Sequence, residues 1–111
     1  MREIEFRGKD AITDEWIYGI YIPASCTKLG YHSIIDARHR REVDPDTVGQ
    51  YTGVRDYAGT KIYEGDRVQF LGEPALLTVR FIRGAFMADD GSAVYHLDDY
   101  TWLVIGNVYY K

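Results

Sequence analysis

From residue 66 onward the chain alternates apolar and polar side chains with a period of two, in short runs punctuated by glycine-bearing turns. That period sends successive side chains to opposite faces of a pleated strand, which a helix cannot do. Residues 66–71 (DRVQFL) place Val68 and Phe70 on one face and Arg67 and Gln69 on the other. Leu77, Val79 and Phe81 form an inward face, with Thr78 and Arg80 between them. Arg83-Gly84 is a tight hairpin signal and Asp89-Asp90-Gly91 a second. Residues 92–97 and 101–108 supply two further strands. Strands and turns at this spacing predict a small barrel or sandwich.

The first half follows the same pattern less strictly. Glu3, Glu5 and Arg7 alternate with Ile4 and Phe6, and Trp16, Tyr18, Ile20 and Ile22 share one face of a second strand, with Ile17 and Tyr21 on the other. Residues 8–15 read as the hairpin connection, and Pro23 stops pairing because it has no N–H to donate. Residues 31–37 form a weaker third strand that runs into Arg38, His39, Arg40 and Arg41, the dense positive cluster of the chain. Asp44-Pro45-Asp46 reads as a turn, with a short helical turn over 45–49 capped by Asp44 as a variant. Residues 48–51 form a short strand and 56–59 (DYAG) a turn.

Composition agrees. There are ten tyrosines, and Tyr, Ile, Val, Thr, Phe and Trp together far outnumber Leu, Met and Lys. The expected class is all-β, with a composition break at 43–46 dividing an N-terminal β subdomain (1–46) from a C-terminal one (47–111). A formal net charge of −4 argues against holding duplex DNA by bulk electrostatics. The opening MREIEFRGKD reads as neither signal nor transit peptide, and no apolar run is long enough for a membrane helix. Cys26 has no second cysteine to pair with, which points to a reducing compartment, the cytoplasm.

The run VGQYTGVRDYAGTKIYEGDRVQF (48–70) resembles the signature of the YopX family of phage and prophage proteins. REIEFRGK followed by EWIYG is similar to that family's opening, and VIGNVYY to its closing strand. The stretch 23–43 and the loop 71–76 carry none of the likeness. The resemblance implies two small barrel-like parts, the second SH3-like, a phage or prophage origin and oligomerisation. It implies no activity, so no catalytic residues carry over. In physical terms its residues are turn formers. Gly53, Gly59 and Gly65 permit positive φ, while Asp56 and Asp66 accept backbone N–H bonds in their own turns. Tyr51 and Tyr63 supply rings to bury.

Residues able to carry chemistry are sparse. Glu64 and Asp66 straddle a glycine and are the acids a metal-assisted hydrolase would use, but Asp89-Asp90 and Asp98-Asp99 are doublets whose members diverge on a strand. His32, His39 and His96 lack metal-ligand spacing, and Cys26 has no local base. No catalytic residue, metal or cofactor is expected. Arg38, Arg40 and Arg41, with stacking tyrosines and an extension through Arg80 and Arg83, would suit single-stranded nucleic acid. Glu42, Asp44 and Asp46 locally cancel that charge. Trp16, Trp102, Tyr109 and Tyr110 are candidate protein-contact residues, since aromatic and arginine side chains dominate interface energetics. The expectation is therefore a non-enzymatic accessory protein acting on a protein partner or as a homo-oligomer. The alternatives are a single-stranded nucleic-acid binder and a metal-assisted hydrolase.

Overall fold

A computed structural model describes residues 3–26, 28, 30–37 and 39–109. The described residues form strands, turns and short 3-10 segments, and include no α-helix. Among the described residues no helix is long and apolar enough to cross a membrane. The chain divides into two compact units, Met1–Gln50 and Tyr51–Lys111.

The first unit contains β1 (Phe6–Lys9), β2 (Trp16–Ile22), β3 (Ser33–Asp36), β4 (His39–Glu42) and the start of β5 (Gly49–Arg55). All pairings are antiparallel: β1 with β2 in the register Gly8↔Ile17, β2 with β3, β3 with β4, and β1 with β5 through Arg7↔Gly49. The alternation in β2 sorts its faces. Ile17 and Tyr21 join Ile34, Val43, Phe6 and Val48 in the core. Trp16, Tyr18 and Ile20 take the opposite face, where Ile20 is 66% exposed. Gly19 lets β3 approach: a Cβ there would lie 2.1 Å from the Ile35 carbonyl oxygen. Asp44 caps the 3-10 turn Pro45–Thr47, its Oδ1 accepting from the Asp46 N–H at 3.0 Å. The positive cluster differs from its reading as the end of the third strand. Residues 39–42 form a separate strand folded back on β3. Charged side chains mask a period of two because it carries no hydrophobic contrast there.

The second unit contains the rest of β5, β6 (Lys61–Tyr63), β7 (Asp66–Phe70), β8 (Leu77–Ile82), β9 (Ala85–Asp89), β10 (Val94–His96) and β11 (Trp102–Asn107). Five of them form an antiparallel sheet in the order β10-β9-β8-β7-β11. Its core gathers Ile62, Val68, Leu77, Val79, Phe86, Ala88, Leu97 and Trp102. Phe81 departs from expectation. Leu77 and Val79 are buried, but Phe81 is 54% exposed and lies edge-on to Phe86, at the hairpin end of the sheet where core depth runs out. That hairpin turns through Arg83 (φ 51°) and Gly84 (φ 82°), the double positive φ of a type I′ turn. β11 carries a bulge between Val104 and Gly106 that turns Ile105 outward.

Two turns hold ionised aspartates. The Ala93 and Ser92 N–H groups donate to Asp90 Oδ1 and hold its carboxyl below the usual range, and Thr13 and Ile12 do the same for Asp10. A depressed folded pKa stabilises the fold above the unfolded aspartate value, and the contribution disappears as pH falls through the folded one. Carboxyl carbon titration by NMR should therefore give midpoints for Asp10 and Asp90 below that of an unstructured aspartate, with both turns loosening only in acid below about pH 4. Midpoints at the unstructured value would rule this out. Gly19→Ala should cost about 3 kcal/mol or more in urea unfolding, because backbone has to move. Gly59→Ala, where φ is 87° and a Cβ meets open space, should cost about 1–2 kcal/mol.

Candidate functional site

Phe70 ends β7, and its ring stacks on Trp102 across the β7–β11 pair, centroids 4.5 Å apart at 27°. Trp102 is 1% exposed, and its Nε1–H donates to the Leu97 carbonyl at 2.8 Å. This bond and the buried Leu97 side chain anchor the 3-10 turn Leu97–Asp99, which delivers Tyr100 beside Phe70. The rings of Phe70, Tyr95 and Tyr100 meet edge to face, with centroids 5.1, 5.3 and 5.7 Å apart and interplanar angles of 85°, 81° and 90°. Such T-shaped pairs are the favoured aromatic arrangement.

These rings line an open groove of about 640 Å³, with Leu71, Glu73 and Thr101 completing it. Its volume falls within the range of ligand sites. The groove is braced by main-chain bonds: the Leu71 N–H donates to the Thr101 carbonyl at 3.1 Å, and the Glu73 N–H to the Phe70 carbonyl at 2.9 Å. Tyr100 is 48% exposed, and among the described residues neither the Tyr95 nor the Tyr100 hydroxyl has a hydrogen-bond partner. Glu73, Asp98 and Asp99 are exposed acids on or beside the groove, and none of the lining residues is a cation.

The signature turns support this arrangement. Asp56 Oδ1 accepts from the Ala58 N–H at 2.9 Å and the Thr60 N–H at 2.8 Å. Its Oδ2 accepts from the Val104 N–H at 3.0 Å, 48 residues along the chain. The neighbouring Tyr57 N–H donates to the Trp102 carbonyl at 2.8 Å. Asp66 is buried and accepts from the Tyr63 N–H at 2.8 Å. Gly53, Gly59 and Gly65 have φ of 86°, 87° and 92°, and a Cβ on Gly65 would sit 2.8 Å from the Tyr109 ring. Tyr51 and Tyr63 are buried opposite each other, ring centroids 5.7 Å apart.

The family model described as YopX protein matches residues 5–111. The chain belongs to the YopX family. No curated protein matches it. In this YopX chain the signature 48–70 is the segment that supplies Asp56, Asp66 and the glycine turns, and its last residue, Phe70, is the floor of the groove.

The other candidate residues are scattered. Arg38 and Tyr110 lie outside the described residues. Arg40 and Arg41 are neighbours on β4 and point to opposite faces: Arg40 Nε donates to Ser33 Oγ at 2.9 Å, and Arg41 lies 3.9 Å from Asp10. Arg80 is 3.4 Å from Asp89. Trp16 is covered by cations of its own sheet, with the Arg7 guanidinium 4.3 Å and the Lys9 ammonium 5.5 Å from the ring centroid. Trp102 is corrected from contact residue to core, since its buried ring and bonded indole leave no surface to offer. His32 is held by Tyr21, whose hydroxyl lies 2.6 Å from Nδ1. Burial pushes the Tyr21 phenol up, with a smaller contribution from Cys26. Among the described residues no group of acids, histidines or cysteine could hold a metal ion.

Sequence reasoning passed over Tyr95, Tyr100 and Glu73. The available signal was YHLDDY (95–100), two tyrosines bracketing a turn that leads into β11, the strand paired with β7. Asp56→Ala removes one acceptor from three N–H groups, one of them on β11, and should cost roughly 2–4 kcal/mol in urea unfolding. Asp56→Asn, which keeps one acceptor oxygen, should cost less. Equal losses would mean that the oxygen Asn keeps contributes nothing and that the charge and second oxygen account for the whole effect.

Proposed function

We propose that this protein is a non-enzymatic phage or prophage accessory protein, working in the cytoplasm of the bacterial host through protein–protein contact, with another protein or a second copy as partner. The groove of Phe70, Tyr95 and Tyr100 carries the reading. Tyrosines with an apolar body and an unengaged hydroxyl, set in a braced concavity, are the kind of residue that anchors protein interfaces. The sheet edges favour side-chain contact over strand addition. β4 is short and charged, β10 has three residues, and the outer edge of β11 is capped by Asp56 and Tyr57.

Two observations weigh against the alternatives. A nucleic-acid track needs several cations on one open face, and Arg40 and Arg41 diverge with each engaged in its own unit. A metal-assisted hydrolase using Glu64 and Asp66 needs Asp66 available, and its carboxylate is buried in its own turn.

The test is affinity capture from infected or lysogenic cells, quantified by mass spectrometry, with wild type and Tyr100→Ala side by side. Proteins enriched by the wild type should fall at least several-fold with the variant. If the partner is a second copy, sedimentation should show mass rising with concentration in the wild type and not in Tyr100→Ala. An unchanged capture profile together with a strict monomer up to near-millimolar concentration would overturn the reading.

A further inference from the structure

Building on that reading of the groove as a protein-contact site, we infer that its occupant is an extended, proline-rich segment in the polyproline II conformation carrying arginine or lysine at one end. The argument starts from what the walls offer. Phe70, Tyr95 and Tyr100 present ring faces and edges, and Leu71 is the one aliphatic residue among the lining, too little for the trough that receives an amphipathic helix. A polyproline II segment has no internal hydrogen bonds, so its carbonyls look outward for donors. The Tyr95 and Tyr100 hydroxyls are donors without a partner among the described residues. Flat pyrrolidine rings pack on aromatic surfaces, and a segment already stiff in this conformation loses little entropy on docking.

Charge then selects among flat ligands. Unpaired nucleobases also stack on tyrosine, but each brings a phosphate. Here the phosphates would meet Glu73 on the groove and Asp98 and Asp99 on the turn that carries Tyr100, with no cation among the lining residues. The same acids attract a basic peptide end. The main chain at Glu73 is fixed by its N–H bond to the Phe70 carbonyl, and its exposed side chain can pair with an arginine at the mouth.

The experiment uses the full chain and a fluorescein-labelled oligoproline peptide ending in two arginines, read by anisotropy at moderate salt. Saturable binding is expected, with NMR amide shifts centred on Phe70, Leu71 and Thr101. Tyr100→Ala, a change at a half-exposed side chain, should weaken binding about tenfold or more. Glu73→Lys should weaken the arginine-ended peptide about threefold or more while leaving an oligoproline ending in two glutamines unaffected. Circular dichroism checks that both variants are folded. The inference is overturned by no binding up to millimolar peptide, by binding insensitive to Tyr100→Ala, or by equal binding of a glycine–serine peptide with the same arginines. It is also overturned if oligothymidylate binds more tightly than the peptide and is lost in Tyr100→Ala, which would make the groove a base-stacking site. Should the peptide fail while Tyr100→Ala still strips partners in the capture experiment, the protein-contact reading stands and only the polyproline assignment falls.

Discussion

The carboxylate of Asp56 is the constraint from which the second unit's groove follows. β11 ends the five-stranded sheet, so the N–H of Val104 and the carbonyl of Trp102 face away from β7 and lack strand partners. Asp56 Oδ2 takes the first and the Tyr57 N–H takes the second, while Asp56 Oδ1 closes its own turn. A buried charge is tolerated because three N–H donors replace its hydration. With β11 held, Trp102 sits beneath Phe70, and Phe70 becomes a fixed floor. Asp56, a turn former by its local sequence, is spent on architecture, and the aromatic groove lies two side chains away.

The same logic governs the positive charges of the first unit. Strand geometry separates Arg40 from Arg41, so a run that is dense in sequence becomes dilute in space. Arg7 and Lys9 are buried beside Trp16, where cation–π attraction offsets part of the cost of removing them from water. Lys9 also reaches Asp14 at 3.5 Å. These cations stabilise one sheet face and do not assemble an anion-binding surface.

What the sequence disclosed divides by range. The hairpins at Arg83-Gly84 and Asp90-Gly91, the cap at Asp44 and the Asx turn at Asp56 are encoded within a few residues, and each is where the local pattern placed it. β4 was hidden because four polar residues show no apolar alternation. Phe81 was misplaced because alternation reports a face and not how far the core extends beneath it. The groove was invisible for a deeper reason. Phe70, Tyr95 and Tyr100 converge only through the β7–β11 register and the burial of Leu97 in the core, and both are tertiary. The third bond of Asp56, to Val104, belongs to the same class.

The two roles of a tyrosine can be separated at this site. Phe70 needs ring edges around it, because a benzene face left in water forfeits burial that Tyr95 and Tyr100 restore by packing against it. Phenylalanine would meet that need as well, so packing accounts for the rings and leaves the hydroxyls unexplained. An unengaged phenol at the lip of an apolar concavity costs little while water reaches it, and becomes a directed donor once a ligand expels that water. The fold therefore builds a surface whose apolar part is already fixed in place and whose polar part is satisfied only by solvent or by a partner that brings carbonyl oxygens. With acids at its rim and no cation within, it discriminates against anions before any contact is made. Those features, and not the fold class, are what a proposal of a basic, carbonyl-bearing ligand rests on.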